Sequence, residues 1–264
     1  MTLIPDTEPA VPPLDEPAPG PDAPLAEGSS GTVMVRAPQR PPLVANAILG
    51  LTIVVFLLQL AGQSLLKVDV AASLGAKVNE LIRGGQVWRL LTPALLHGSV
   101  LHIAFNMMAL RSLGPTLEQH YGHGRFLALY LLAAFGGNVL SFLLSDSVSL
   151  GASTAIFGLF GAEAVFLYVN RKLFGEGARR ALTQMAWLGG INLVISLSPG
   201  IDLWGHLGGL AAGGLFALLA GPRLEVAGTY PDLWLRDSRP AARVWQAGAL
   251  VLAVFAALAG WGMV

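Results

Sequence analysis

Leu203-Trp204-Gly205-His206-Leu207-Gly208-Gly209-Leu210-Ala211-Ala212-Gly213-Gly214-Leu215-Phe216-Ala217-Leu218-Leu219-Ala220 is the stretch whose reading decides the fold. Its length and apolarity predict a helix that crosses a hydrocarbon core ~30 Å thick, which takes roughly 20 residues. Gly205, Gly209 and Gly213 recur at every fourth position and so share one helix face. Small residues on such a face let a second backbone come close. One side chain breaks the pattern. An imidazole in a membrane helix is rare and faces the bundle interior or water, so His206 needs a reason to be there.

Six more blocks of similar character flank this one, at about 43–61, 99–117, 126–144, 151–169, 181–197 and 244–261. Of the 264 residues, 54% are hydrophobic and only 12% charged, against about 25% charged in a soluble domain. The fold class expected is therefore all-α, a polytopic membrane helix bundle in a lipid bilayer. With no cysteine, disulfides and thiolate metal sites are excluded. The net charge of zero carries no nucleic-acid footprint, and no nucleic-acid partner is expected.

Composition divides the chain. Residues 1–42 are rich in proline and carry Asp6, Glu8, Asp15, Glu16, Asp22 and Glu27; this acidic segment is expected to be a disordered cytoplasmic tail. It lacks the basic start and apolar run of a signal peptide. Residues 43–220 form a six-helix core. Residues 221–243, with Pro222, Pro231 and Pro240, read as a cytoplasmic linker, and 244–264 as a seventh helix. The long connection 62–96 is partly amphipathic, carries Trp88 and Arg89, and is expected at the membrane interface.

Basic residues set the orientation. With a cytoplasmic N-terminus, 12 of the 16 Lys and Arg fall inside and four (Lys67, Lys77, Arg83, Arg89) outside. This favours N-terminus in and C-terminus out. The fourth and sixth spans then both begin at the outer face. Ser153 of Gly151-Ala152-Ser153-Thr154 and His206 each lie about 3 to 5 Å inside their helix starts at the α-helical rise. A serine and a histidine at one depth offer a nucleophile and a base.

Other residues gather on that layer. His102 and Asn106, at i and i+4 on the second span, share a face. With the Ser153 N–H at a helix N-terminus they could donate to an oxyanion; the plain alternative is a polar cluster that locks two helices. Phe157, one turn past Ser153, could pack on the His206 ring or simply fill the core. Gly158 and Gly161 allow close approach on the fourth span. No acid is convincingly placed to orient His206, and Asp202 reads as a cap, so the unit expected is a dyad. Glu163 has no assigned role. The histidines at 97, 102, 120, 123 and 206 show no metal-ligand rhythm; His120 and His123 are expected in a short inner loop. No metal or cofactor is expected.

Taken in order, these motifs resemble the rhomboid family of intramembrane serine proteases over about residues 43–220, with one helix added behind in a six-plus-one form. Trp88-Arg89 resembles the family's external-loop Trp-Arg pair, and His102 with Asn106 its His-x-x-x-Asn. Gly151-Ala152-Ser153 resembles its Gly-x-Ser motif, and Gly205-His206 with Gly209 and Gly213 its sixth-span series. The resemblance implies Ser153 as nucleophile and His206 as general base, with His102, Asn106 and the Ser153 amide as oxyanion stabilisers. It implies structural roles for Trp88, Arg89 and Glu118. The partners implied are single-span or polytopic membrane-protein substrates, cut near the outer face of an inner membrane. Thr154 stands where members often have glycine, and Phe157 where they often have tyrosine. A non-proteolytic rhomboid-like protein that binds membrane clients is the rival reading; such proteins usually lack the serine or the histidine.

Overall fold

The computed structural model describes residues 35–264. In chain order the elements are β1 (Val35–Arg36), α1 (Leu43–Leu65), α2 (Val70–Gly75), α3 (Asn79–Arg83), two 3-10 turns (Val87–Leu90 and Thr92–Leu95), α4 (Val100–Tyr121) and α5 (His123–Leu144). There follow α6 (Ser153–Val169), α7 (Arg171–Ile195), α8 (Leu203–Ala220), β2 (Leu224–Thr229), β3 (Asp232–Asp237) and α9 (Ala241–Gly262). The chain is a mostly helical, multi-pass membrane bundle, and each of the seven apolar blocks lies on one long helix.

Four helices, α1, α5, α8 and α9, are long and apolar enough to cross a membrane by length and composition. The other three fall short for separate reasons. Helix α6 has only 17 residues, about 25 Å at the α-helical rise. Polar side chains dilute α4, among them His102, Asn106, Arg111 and Glu118. Helix α7 begins with the basic run from Arg171 and is broken at Gly175 (φ 51°, ψ −130°), so it starts ten residues before the expected 181.

Helices α6 and α8 form the centre, with α5 laid against both; α1 packs on α4, and α9 on α5 and α8. Lipid tails are as apolar as leucine, so burial gives little drive between such helices, and close van der Waals fit must hold them. Glycine supplies that fit. A methyl at Gly209 would run into the Thr154 carbonyl oxygen, and one at Gly213 into the Gly158 backbone. Helices α6 and α8 therefore meet backbone to backbone.

The expected tail over 1–42 lies outside the described residues as far as position 34. Its end is structured, because Val35–Arg36 pairs in parallel with β3. The expected linker over 221–243 also folds: β2 and β3 are antiparallel, giving a sheet in the order β1-β3-β2. Leu233 and Leu235 alternate with exposed Asp232, Trp234 and Arg236, the period-2 pattern of a strand with one covered face. His120 ends up inside α4 and His123 opens α5, with only Gly122 between the helices.

The 62–96 connection is tied down by buried cations. Arg89, 2% exposed, donates to the Ala76 and Ser73 carbonyls (both 2.7 Å) and to Gln86 Oε1 (2.8 Å). Trp88 Nε1 donates to the Leu74 carbonyl at 3.0 Å. Lys77 is fully buried; its Nζ donates to the Ser145 and Ser147 carbonyls at 2.6 and 2.9 Å. Its backbone bridges Ser149. Burial lowers its ammonium pKa, with Asp202, Asp146 and Glu80 partly opposing. The connection thereby fixes the segment that leads into α6.

Candidate active site

Ser153 is the first residue of α6, so its N–H has no carbonyl four residues back to bond. The turn before it depends on Gly151. That residue has φ +141°, and a Cβ there would come within 2.8 Å of the His102 ring. Glycine both permits the backbone and leaves room for the imidazole. The Gly151 N–H donates to the Pro93 carbonyl at 2.9 Å, anchoring the turn to the 62–96 connection.

His206 is the fourth residue of α8. Its Nε2 lies 2.9 Å from Ser153 Oγ. The glycines explain how. With α6 and α8 in backbone contact at Thr154–Gly209 and Gly158–Gly213, two short side chains at their N-terminal ends bridge the gap directly. Phe157 stacks on the His206 ring, centroids 4.2 Å apart and planes 14° from parallel, which fixes the ring's plane. Gly205 opens the same turn of α8, where a Cβ would come 2.7 Å from Asp202 Oδ2 and 3.0 Å from the Thr154 methyl.

Asp202 does not touch the imidazole. It is the N-cap of α8, accepting from the Gly205 N–H at 2.9 Å, and its second oxygen accepts from Ser141 Oγ of α5 at 2.5 Å. The imidazole's other nitrogen, Nδ1, instead faces Ser196 Oγ at 2.7 Å. Ser196 caps the C-terminus of α7 and is 2% exposed. Sequence reasoning missed it: two serines flank Leu197 just past an apolar helix, and nothing in the spacing to His206 singles one out.

On α4, Asn106 Nδ2 spends one N–H on the His102 carbonyl at 3.1 Å; the His102 ring lies against Gly151. Behind them stands His97, considered from sequence only as a metal ligand. Its ring meets His102 edge-on at 5.0 Å, and its Nε2 accepts from the Ala152 N–H at 3.4 Å. Trp88 and Arg89 sit apart from these groups, in the ties of the 62–96 connection. Glu118 sits at the far end of α4, taking the Val44 and Ala45 N–H groups on its two oxygens, both at 2.8 Å, with His123 Nδ1 on one of them at 2.5 Å. Chemically, the arrangement offers a hydroxyl hydrogen-bonded to a fixed, buried imidazole, beside a helix N-terminal N–H and a second, half-buried imidazole. Those are the parts of an acyl-transfer site.

Comparison with known proteins agrees in character. A family model described as the Rhomboid domain matches residues 84–223. Among similar proteins, Rhomboid protease GluP of Bacillus subtilis (strain 168) is 44% identical over 166 residues, covering 62% of this chain and 32% of that protein. RHOMBOID-like protein 4 of Arabidopsis thaliana is 36% identical over 151 residues, 56% of this chain and 38% of that protein. RHOMBOID-like protein 7 of the same plant is 38% identical over 149 residues, 55% and 47%. The chain thus spans about a third to a half of the length of these relatives.

Proposed function

The chain belongs to the rhomboid family, and from that premise we propose that it is an intramembrane serine endopeptidase working through Ser153 and His206. The observation that carries the reading is the 2.9 Å contact between His206 Nε2 and Ser153 Oγ, on a ring held by stacking on one face.

In the proposed reaction a substrate helix unwinds near the outer face, since a helical peptide bond is shielded from attack. His206 takes the Ser153 proton as Oγ attacks the scissile carbonyl. The carbonyl oxygen becomes an oxyanion, received by the Ser153 N–H and by donors from His102 and Asn106; loss of one such donor typically costs 10²–10³ in rate. The imidazolium then gives its proton to the leaving amine. Water, deprotonated by His206, attacks the acyl-enzyme; the bond from the acyl carbon to Ser153 Oγ breaks, His206 returns the proton to Oγ, and the new carboxyl end is released. Phe157, Gly151, Gly205, Gly209 and Gly213 hold the geometry, and Trp88 and Arg89 hold the external connection. The topology we assign is N-terminus cytoplasmic, C-terminus outside, with all seven long helices crossing an inner membrane. In this scheme the core is 43–220 and the substrates are membrane proteins.

Cleavage of a model single-span substrate by purified protein in liposomes tests the reading. Wild type should cut; Ser153→Ala and His206→Ala should lose all measurable cleavage while keeping the wild-type unfolding temperature. Serine-independent cleavage would reject the mechanism. No cleavage by wild type across several substrates would move the protein to the client-binding class.

A further inference from the structure

We propose that Ser196 is a positioning residue, which holds His206 in the tautomer that can act as a base; the proposal rests on the Ser153–His206 reading above. The argument is one of counting protons. A serine hydroxyl has one hydrogen to give and two lone pairs to receive with. Ser196 Oγ lies 2.6 Å from the Asn192 carbonyl oxygen and 2.7 Å from His206 Nδ1. A carbonyl oxygen can only accept. Two oxygens at 2.6 Å with no hydrogen between them would repel, so the hydroxyl hydrogen goes to Asn192. Toward His206 the serine is then left with lone pairs alone. Nδ1 must supply the hydrogen of that second bond.

In a neutral imidazole with Nδ1 protonated, Nε2 carries only its lone pair. That nitrogen faces Ser153 Oγ and can accept its proton. The other tautomer would present an N–H to Ser153 and a bare nitrogen to Ser196, whose hydrogen is already committed. It would break the bond to Ser196 and reverse the one to Ser153, leaving no lone pair on Nε2 to take the serine proton. Ser196, Nδ1, Nε2 and Ser153 therefore form one directional relay, with the Asn192 carbonyl as its anchor on α7.

The nearby carboxylate is directed elsewhere. The Asp202 oxygens bond the Gly205 N–H and Ser141, and the Nδ1 partner is Ser196. Burial makes the arrangement consequential: Ser196 and His206 are 2% and 7% exposed, and a buried polar group with no partner is costly. Ser196 also accepts from Nδ1–H in the imidazolium, so the contact persists through proton transfer. It ties the base on α8 to the end of α7, a helix with only Ala178 buried. The serine thus adds a third member in the place a carboxylate occupies in a Ser-His-Asp triad, without adding a charge.

The test reads the tautomer directly. In histidine-labelled protein at about pH 8, above the usual imidazole range, the His206 ring nitrogens are assigned by their loss in His206→Ala. Wild type should show a protonated, pyrrole-like Nδ1 and a bare, pyridine-like Nε2. Ser196→Ala should lose this preference and lower kcat by about 10- to 100-fold with KM unchanged, a fraction of the 10²–10⁴ a general base supplies. Ser196→Thr, which keeps the hydroxyl, should restore both. A protonated Nε2 in wild type, or a wild-type tautomer and kcat in Ser196→Ala, overturns the proposal. Should Ser153→Ala retain cleavage, or wild type show none, the proteolytic reading fails instead, and the tautomer still decides the role of Ser196.

Discussion

His97 shows what a single buried side chain does for the turn that carries Ser153. Its N–H and carbonyl are both bonded to Gln59, at 3.0 and 3.2 Å, and Gln59 is bonded in turn to Asp69 at 2.7 Å. This leaves the ring fixed under Ala152. Burial, with His102 adding to it, pushes the His97 pKa down to about 4 from 6.5. The unfolded chain therefore takes up a proton first on acidification. Stability from this group is fully present above about 6.5 and is lost as pH falls toward 4, by at most about 3–4 kcal/mol. The unfolding temperature of wild type in detergent should drop across that window, and His97→Gln should flatten part of the slope; an unchanged slope would show that His97 does not set it. At this scale the sequence is uneven. Ser153, His206 and Phe157 are legible because chemistry-bearing groups are costly in lipid and their helical spacing is simple. His97 and Ser196 are not, because each acts across a loop whose path no periodicity encodes.

Helices α6 and α8 show a second scale, where contact depends on what is missing. Gly209 and Gly213 face the Thr154 and Gly158 backbones with no room for a methyl. Gly209→Ala should push the two helices apart and cost about 1–3 kcal/mol, the usual range for overpacking. Because Ser153 and His206 bridge the same interface, kcat should fall at least about 10-fold, a shift of 1.4 kcal/mol in barrier. Gly177→Ala, with open space around it, is the control and should leave kcat as it is. Equal effects from both would sink the packing argument. The four-residue glycine spacing made this interface readable from sequence. The β2–β3 hairpin is not legible in the sequence: only Leu224, Leu233 and Leu235 alternate with exposed neighbours, and prolines at 222, 231 and 240 mark the stretch as a linker. Helix ends also moved, α7 most of all, because its basic first turns are helical despite their charge.

Across the whole molecule, the candidate site and a buried polar knot at Glu118 sit at opposite ends of α4. Asn106 and Glu118 are 12 residues apart, about 18 Å along the helix. The Glu118 carboxylate is fully buried and binds the first turn of α1 and the first residue of α5. Hydrogen bonds to a charged group contribute about 1.5–3 kcal/mol. Glu118→Gln should lower the unfolding temperature while leaving the kcat of the folded fraction at the wild-type value; a drop in kcat without a change in unfolding temperature would contradict this division between the two ends.

That knot also has a history in time. Val44 and Ala45 precede Glu118 by 74 and 73 residues. A ribosome adding 5–20 residues per second takes about 4–15 s to cover that distance. The first helix is therefore made with two of its leading N–H groups lacking their final acceptor. The carboxylate that closes them is synthesised only at the end of α4, just before α5 begins. The groups that join α1, α4 and α5 at this end are thus all made before Ser153 and His206, although Val44 and Ala45 wait more than seventy residues for the acceptor that closes them.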